Sequence, residues 1–196
     1  QDWYFFGYGH DYKAALAEYA RFGGAVPLIP RWALGAWWSR YWPYSEQDLR
    51  RLVADFDEND FPLDVLVIDM DWHLPGWTGY TWNSELFPDP PALLSWLHRQ
   101  GLRLTLNLHP ADGVGPHEAA YPEFAAAMGT PPREPVPFRI GDERFAQSYF
   151  ELLHHPIEGQ GIDFWWMDWQ QGRESEVEGL DPLLWLNHLH YHDMRR

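Results

Sequence analysis

An α/β fold on a parallel sheet is what this chain predicts, and three observations predict it. Four short apolar runs, at 32–38, 64–70, 102–108 and 163–169, alternate with segments of helical patterning. The runs lack a polar residue at every second position, as strands do when both faces of their sheet are covered. Two of the runs end in carboxylates, at Asp69 and Asp168, where the strand leaves the core. Alternating strands and helices imply parallel pairing through right-handed crossovers.

The elements follow in order. A helix over 12–22 ends at Gly23 and Gly24. After the first strand, Ser45 caps a second helix whose first turn carries Glu46 and Asp48, and which runs to about Asn59. Asp89-Pro90-Pro91 opens a third helix, terminated near Gly101. A fourth runs from Glu143 to about His155 and stops at Pro156. Asp181-Pro182 starts a fifth, ending near Met194. The proline-rich stretch 130–137 is a stiff excursion within the domain, because strand-helix alternation resumes after it.

Two architectures share this pattern, an open doubly wound sheet and a (β/α)8 barrel. No strand is followed by a glycine-rich phosphate turn, and Gly7-Tyr8-Gly9 is too short for a dinucleotide fingerprint. The acids sit at strand carboxyl ends, where barrel enzymes keep their sites. A complete barrel needs roughly 250 residues. The prediction is therefore a partial (β/α)8 barrel, about the first four β-α units, filling the 196 residues. The opening Gln1-Asp2-Trp3-Tyr4-Phe5-Phe6 reads like the middle of a larger protein.

Composition narrows the function. The chain has 14 basic and 29 acidic residues, a net charge of −15, which argues against nucleic acid, since phosphate contacts need a basic face. A neutral substrate fits better. The 13 Trp, 10 Tyr and 11 Phe fill the core first, and the surplus suits the C–H faces of sugars. Cysteine is absent, which removes disulfides and thiolate chemistry. No run approaches the roughly 18 apolar residues of a membrane helix, and no segment has signal-peptide layout. The compartment stays open, with a slight lean towards the cytoplasm.

Asp168 is the leading candidate for chemistry. A charge at the end of an apolar strand is costly unless paired or used. Such a carboxylate can attack an anomeric carbon, with Gln170 and Gln171 as donors that keep it ionised, or it can cap the following turn. Asp69 and Asp71, two apart on a strand, point to one face; they bind sugar hydroxyls or pair with a cation such as Arg40. His109 donates to a substrate hydroxyl or is a satisfied structural histidine. The aromatic loop from Trp72 to Asn83 is either a sugar-lined rim or packing beneath its neighbours. His188 and His192 share a helix face without the Glu of a zinc-peptidase helix, so no metal is assigned and no cofactor is expected. His154 and His155 at a helix end favour the dipole.

The run Pro30-Arg31-Trp32-Ala33-Leu34-Gly35, then Trp38-Ser39-Arg40-Tyr41, Asp69-Met70-Asp71-Trp72, Phe87-Pro88-Asp89 with Leu97-His98, and Trp166-Met167-Asp168 together resemble glycoside hydrolase family 31, the retaining α-glycosidases. The resemblance implies a (β/α)8 catalytic barrel of which residues 1–196 are the N-terminal part. It implies that Asp168 is the nucleophile, that Asp69 binds hydroxyls of the sugar in the −1 subsite, that Trp166 lines that subsite, and that Tyr41 or Trp42 forms part of its wall. The family's common Met-Asn-Glu after the nucleophile is here Trp169-Gln170-Gln171, and His109 stands where an Asp is frequent. Both changes resemble a bacterial branch with a Trp-Gln-Gln signature, and they add an N-acetylated sugar such as an α-N-acetylgalactosaminide to the candidate substrates. The acid/base carboxyl of a retaining mechanism is expected from a later strand, and a β-sandwich domain from the remainder of the full-length protein. Two other readings of the residues are a non-catalytic carbohydrate-binding module on the same barrel and a metal-dependent barrel hydrolase.

Overall fold

The computed structural model describes residues 3–168, 172 and 174–196. Trp169, Gln170, Gln171 and Arg173 lie outside the described residues, and with them the expected Trp-Gln-Gln signature. The chain divides into two compact units, residues 1–34 and 35–196.

In the first unit, helix α1 (Tyr12–Gly23) starts where the Asp11 carboxylate accepts the Ala14 N–H at 3.0 Å. Tyr4 packs on Phe22 with ring centroids 4.3 Å apart, and Phe6 packs on Tyr19 at 6.1 Å. Arg31–Leu34 is a 3-10 turn. The expected first strand over 32–38 is therefore only Trp37–Trp38, β1. The apolar residues behind Pro30 look strand-like, yet Ala33 donates back to the Pro30 carbonyl at 3.0 Å.

The second unit holds one parallel sheet, β1, β2 (Val65–Ile68), β3 (Arg103–Leu108) and β4 (Phe164–Met167), in chain order. This is the run of four consecutive strands expected of a partial (β/α)8 barrel. Register and alternation sort the side chains onto two faces. One face carries Trp38, Leu66, Ile68, Leu104, Leu106, Leu108 and Trp165 and packs into the main core beneath the helices. The other carries Trp37, Val65, Val67, Thr105, Asn107, Phe164 and Trp166. Here the sheet curls until its edges touch, for the Trp37 ring lies 5.6 Å from Phe164 and 5.8 Å from Trp166.

Carboxylates at the strand starts fasten the sheet. Asp163 accepts from Arg103 Nη1 at 2.7 Å and from the Leu104 N–H at 2.8 Å, and lies 2.9 Å from His98 Nε2. Asp64 accepts the Ala36 N–H at 2.8 Å, so close that a Cβ on Gly35 would stand 2.2 Å from its Oδ2.

Helix α2 (Glu46–Glu58) begins with the reciprocal bonds of a capping box: Asp48 N–H to Ser45 Oγ at 3.2 Å, and Ser45 N–H to the Asp48 carboxylate at 2.9 Å. Bonds from Ser45 hold the Asp48 pKa below its ordinary value. Helix α3 (Pro90–Arg99) starts on Asp89 as expected. Helix α4 (Tyr121–Met128) was not among the expected elements, although Pro122 in its first turn and Gly129 at φ 69° are ordinary start and stop signals.

The helix expected to stop at Pro156 instead continues. Helix α5 (Glu143–Ser148) passes through a π turn at Tyr149–His154 into α6 (His155–Glu158). Pro156 has no N–H to give to the preceding turn, and the chain passes it through the wider turn rather than ending there. That turn also carries His154 fully inside, beside Tyr149 at 4.0 Å and His190 of helix α7 (Pro182–Asp193) at 5.0 Å. His154 is thus neutral rather than a cation favouring a helix end. Burial first, then the neighbouring His190, lowers its pKa far below the usual value. Burial lowers His190 to about 3.

A base whose folded pKa is depressed stabilises the fold above its unfolded pKa of about 6.5 and loses that contribution as pH falls. His190 alone should then cost about 2 kcal/mol on going from pH 7 to pH 5. Thermal melting should fall across that interval, and His190→Gln should flatten the slope. A wild-type melting temperature that is level from pH 7 to pH 5 would refute this.

Candidate active site at the strand carboxyl ends

The carboxyl ends of β2, β3 and β4 deliver Asp69, His109 and Asp168 from one edge of the sheet. Asp168 follows Met167, and its N–H donates to the Leu108 carbonyl at 3.0 Å, so its backbone keeps the sheet register. Its Oδ2 lies 3.1 Å from Nε2 of His109, which is 3% exposed. Nδ1 of His109 is buried without a hydrogen-bond partner among the described residues. An unmatched lone pair inside the protein costs less than an unmatched N–H, so the network favours the tautomer with its proton on Nε2, donating to Asp168. A carboxylate that accepts such a bond is fixed in orientation.

The loop after β2 closes over His109. Its Trp77 ring lies 4.1 Å from the His109 ring and is 41% exposed. Thr78 Oγ1 donates to the His109 carbonyl and accepts the Asp112 N–H at 3.3 Å. Further along, the buried Glu118 carboxylate accepts the Tyr80 N–H at 3.1 Å and the Thr81 hydroxyl at 2.5 Å. Burial, and then the negative charges of Glu118 and Asp112, raise the Tyr80 pKa well above its ordinary value. Gly79 has no substitute here, because a Cβ would stand 2.2 Å from His73 Nδ1. That nitrogen donates to the Leu74 carbonyl at 2.7 Å, and burial lowers the His73 pKa.

Asp69 and Asp71 do not alternate along a strand. The chain leaves the extended conformation at Asp69, whose side chain accepts the Met70 N–H at 2.7 Å and caps a 3-10 turn at Met70–Trp72. Asp71 lies within that turn, and its Oδ2 is buried with no hydrogen-bond partner among the described residues, so no pairing to Arg40 satisfies it. The Arg40 guanidinium instead stands 4.8 Å from the Trp42 ring. Tyr41 and Trp42 are exposed on the loop after β1. Trp166 shares the inner face with Trp37 and is 42% exposed. The contacts therefore join Asp168, His109 and Trp77, while Asp69 and Asp71 lie earlier in the loop that carries Trp77, and Tyr41 and Trp42 lie on the loop after β1.

Sequence reasoning missed Glu118 and Thr78. Trp77 was legible only as one aromatic in an irregular loop, and the single Glu after Gly115-Pro116-His117 carries no spacing signal. A second cluster, His155, Glu158 and Asp193, brings ligand-type atoms within 4.8 Å of one another, but the Arg196 guanidinium already bridges Glu158 and Asp193. His188 and His192 pack ring to ring at 4.3 Å on α7.

The loop behind His109 depends on Gly113, at φ 76°, where a Cβ would lie 2.0 Å from the Val136 carbonyl oxygen. This close approach lets Val114 pair with Val136. Gly113→Ala should destabilise the protein by about 1–3 kcal/mol, read as a lowered urea midpoint. An unchanged midpoint would show that the turn relaxes without cost.

Residues 26–193 match the family described as Glycosyl hydrolases family 31 TIM-barrel domain. The chain is 28% identical over 166 residues to an alpha-xylosidase of Saccharolobus solfataricus, covering 84% of this chain and 22% of that protein. It is 34% identical over 122 residues to Alpha-glucosidase 2 of Bacillus thermoamyloliquefaciens, covering 62% and 15%. Among solved structures it superposes on the family 31 alpha-xylosidase of Xanthomonas citri with a TM-score of 0.67 at 22% identity, covering 89% of this chain and 21% of that one. The likeness in structure establishes the barrel fold. The chain spans about a fifth or less of the length of these curated relatives.

Proposed function

Because the chain belongs to glycoside hydrolase family 31, we propose that residues 1–196 are the N-terminal part of the catalytic barrel of a retaining α-glycosidase acting on a neutral sugar. The observation that carries this reading is the Asp168 carboxylate at the carboxyl end of β4, 3.1 Å from a buried histidine. A strand-end carboxylate oriented by a fixed donor suits the role of a nucleophile. The names of the relatives, α-xylosidase and α-glucosidase, support cleavage of α-glycosides.

In the proposed reaction an Asp168 oxygen bonds to the anomeric carbon as the bond from that carbon to the leaving oxygen breaks. The departing electron pair stays on that oxygen and is protonated by an acid/base carboxyl from outside residues 1–196. Water then hydrolyses the glycosyl ester, and two inversions retain the α configuration. His109 holds Asp168 in its reactive orientation through the bond from Nε2, which weakens as the carboxylate's charge falls on ester formation. Asp69 binds hydroxyls of the bound sugar. Asp71, with an unmatched buried oxygen, is a second acceptor for a hydroxyl. Trp166, Tyr41 and Trp42 supply apolar surface to the ring. The remainder of the barrel and a β-sandwich domain complete the protein.

Two outcomes are expected. In the complete polypeptide, Asp168→Asn should lower kcat/KM for an aryl α-glycoside by about three orders of magnitude or more. A rate within a few-fold of wild type would remove Asp168 from the nucleophile's role. The isolated 196-residue chain should show no turnover on a panel of aryl α-glycosides, since it lacks the second carboxyl. Robust hydrolysis by that polypeptide would mean that the acid/base lies within it.

A further inference from the structure

We propose that Trp77 is a specificity-determining wall of this site and that the buried Glu118 is the residue that positions it. The inference rests on the reading of Asp168 as nucleophile and adds residues that the reading does not use.

A single imidazole separates Trp77 from the proposed nucleophile. His109 packs against the indole at 4.1 Å and reaches Asp168 through Nε2 at 3.1 Å. A sugar ring joined to Asp168 at its anomeric carbon spans that interval. One side of the indole is occupied by His109, and 41% of the residue remains open. An aromatic with one face packed and the rest exposed beside a carboxylate is suited to the C–H face of a sugar. Its position would decide which ring substituents the site accepts.

The loop around Trp77 closes on itself where the Leu74 N–H donates to the Thr81 carbonyl at 2.9 Å and His73 pairs with Trp82. Two side-chain latches then tie it to the segment after β3. Thr78 ties the segment to the His109 carbonyl and the Asp112 N–H. Glu118, with its side chain 1% exposed, ties the next residues through the Tyr80 N–H and the Thr81 hydroxyl. Thr81 Oγ1 in turn accepts the Ala119 N–H at 2.8 Å. The carboxylate's other oxygen lies 3.3 Å from Nε2 of the exposed His117. A buried carboxylate is retained only where donors offset its lost hydration. Here the donors belong to the loop that carries Trp77, so the charge holds that loop to the segment after β3.

The test is a set of variants in the complete polypeptide, assayed on several aryl α-glycosides. Trp77→Ala should raise KM about tenfold for the preferred sugar, change kcat less, and narrow the differences among sugars, with Trp77→Phe restoring most of the loss. Glu118→Gln should reproduce the rise in KM in part. In the Trp77→Ala background it should add nothing further to kcat/KM while still lowering the melting temperature. Thr81→Val removes one of the same latch bonds without touching the carboxylate and should act in the same direction. Unchanged KM and sugar preference in Trp77→Ala would overturn the proposal. Multiplying losses in the double variant would overturn the role of Glu118. Asp168→Asn is the control: if it stays active, the reading of the nucleophile fails; if it is inactive while Trp77→Ala is silent, only the present inference fails.

Discussion

The meeting of Trp37 with Phe164 and Trp166 is the contact on which the rest of the second unit depends. Four parallel strands could lie as a twisted, nearly flat ribbon. Instead the rings of the two edge strands touch across the inner face. That curl removes Val65, Val67, Thr105 and Asn107 from water, although Thr105 Oγ1 and Asn107 Oδ1 have no hydrogen-bond partner among the described residues. Orphaned polar atoms inside a protein are costly, and large aromatic area must offset them. The same curl turns the carboxyl ends of the strands towards a common mouth. Loops leaving β2 and β3 then interlock over the end of β4.

That interlocking is polar rather than apolar. Thr78, Glu118 and His109 each join two loops with one or two hydrogen bonds, so small groups at fixed angles set the geometry. Apolar packing tolerates sliding, whereas a bond to a particular carbonyl or N–H does not. The helical side of the sheet shows the opposite arrangement, an extensive core of Leu and aromatic side chains. One buried imidazole cluster around Tyr149 interrupts it and makes the fold sensitive to acid.

Much of this was legible in the residue order. The runs that became β2, β3 and β4 were readable because both of their faces are covered, and α2 and α3 because Ser45, Asp48 and Asp89 announce their starts. The placement of Asp168 at the end of its strand followed from the abrupt change from apolar residues to a charge. Other features left no local trace. Trp32 to Leu34 resemble a strand but close a turn on Pro30. Asp69 ends the extended run one residue early, so alternation ceases to apply to Asp71. The π turn at Tyr149–His154 accommodates a proline that ordinarily ends a helix. Glu118 was invisible because its partners, Tyr80 and Thr81, lie 38 and 37 residues away in the chain.

The four strand-end aspartates divide by position. Asp64 and Asp163, at the starts, are consumed by backbone and cationic donors. Asp69 and Asp168, at the finishes, open onto loops. Mutational drift therefore meets two different filters in one molecule. A change at the first pair is felt as lost abundance, whatever the reaction. A change at the second pair, on the proposed reading, is felt as lost catalysis or weakened sugar binding rather than as lost fold. On that reading, a lineage carrying this domain diversifies in substrate by revising the loops around the finishing rim, while the carboxylates at both rims are inherited nearly as they stand.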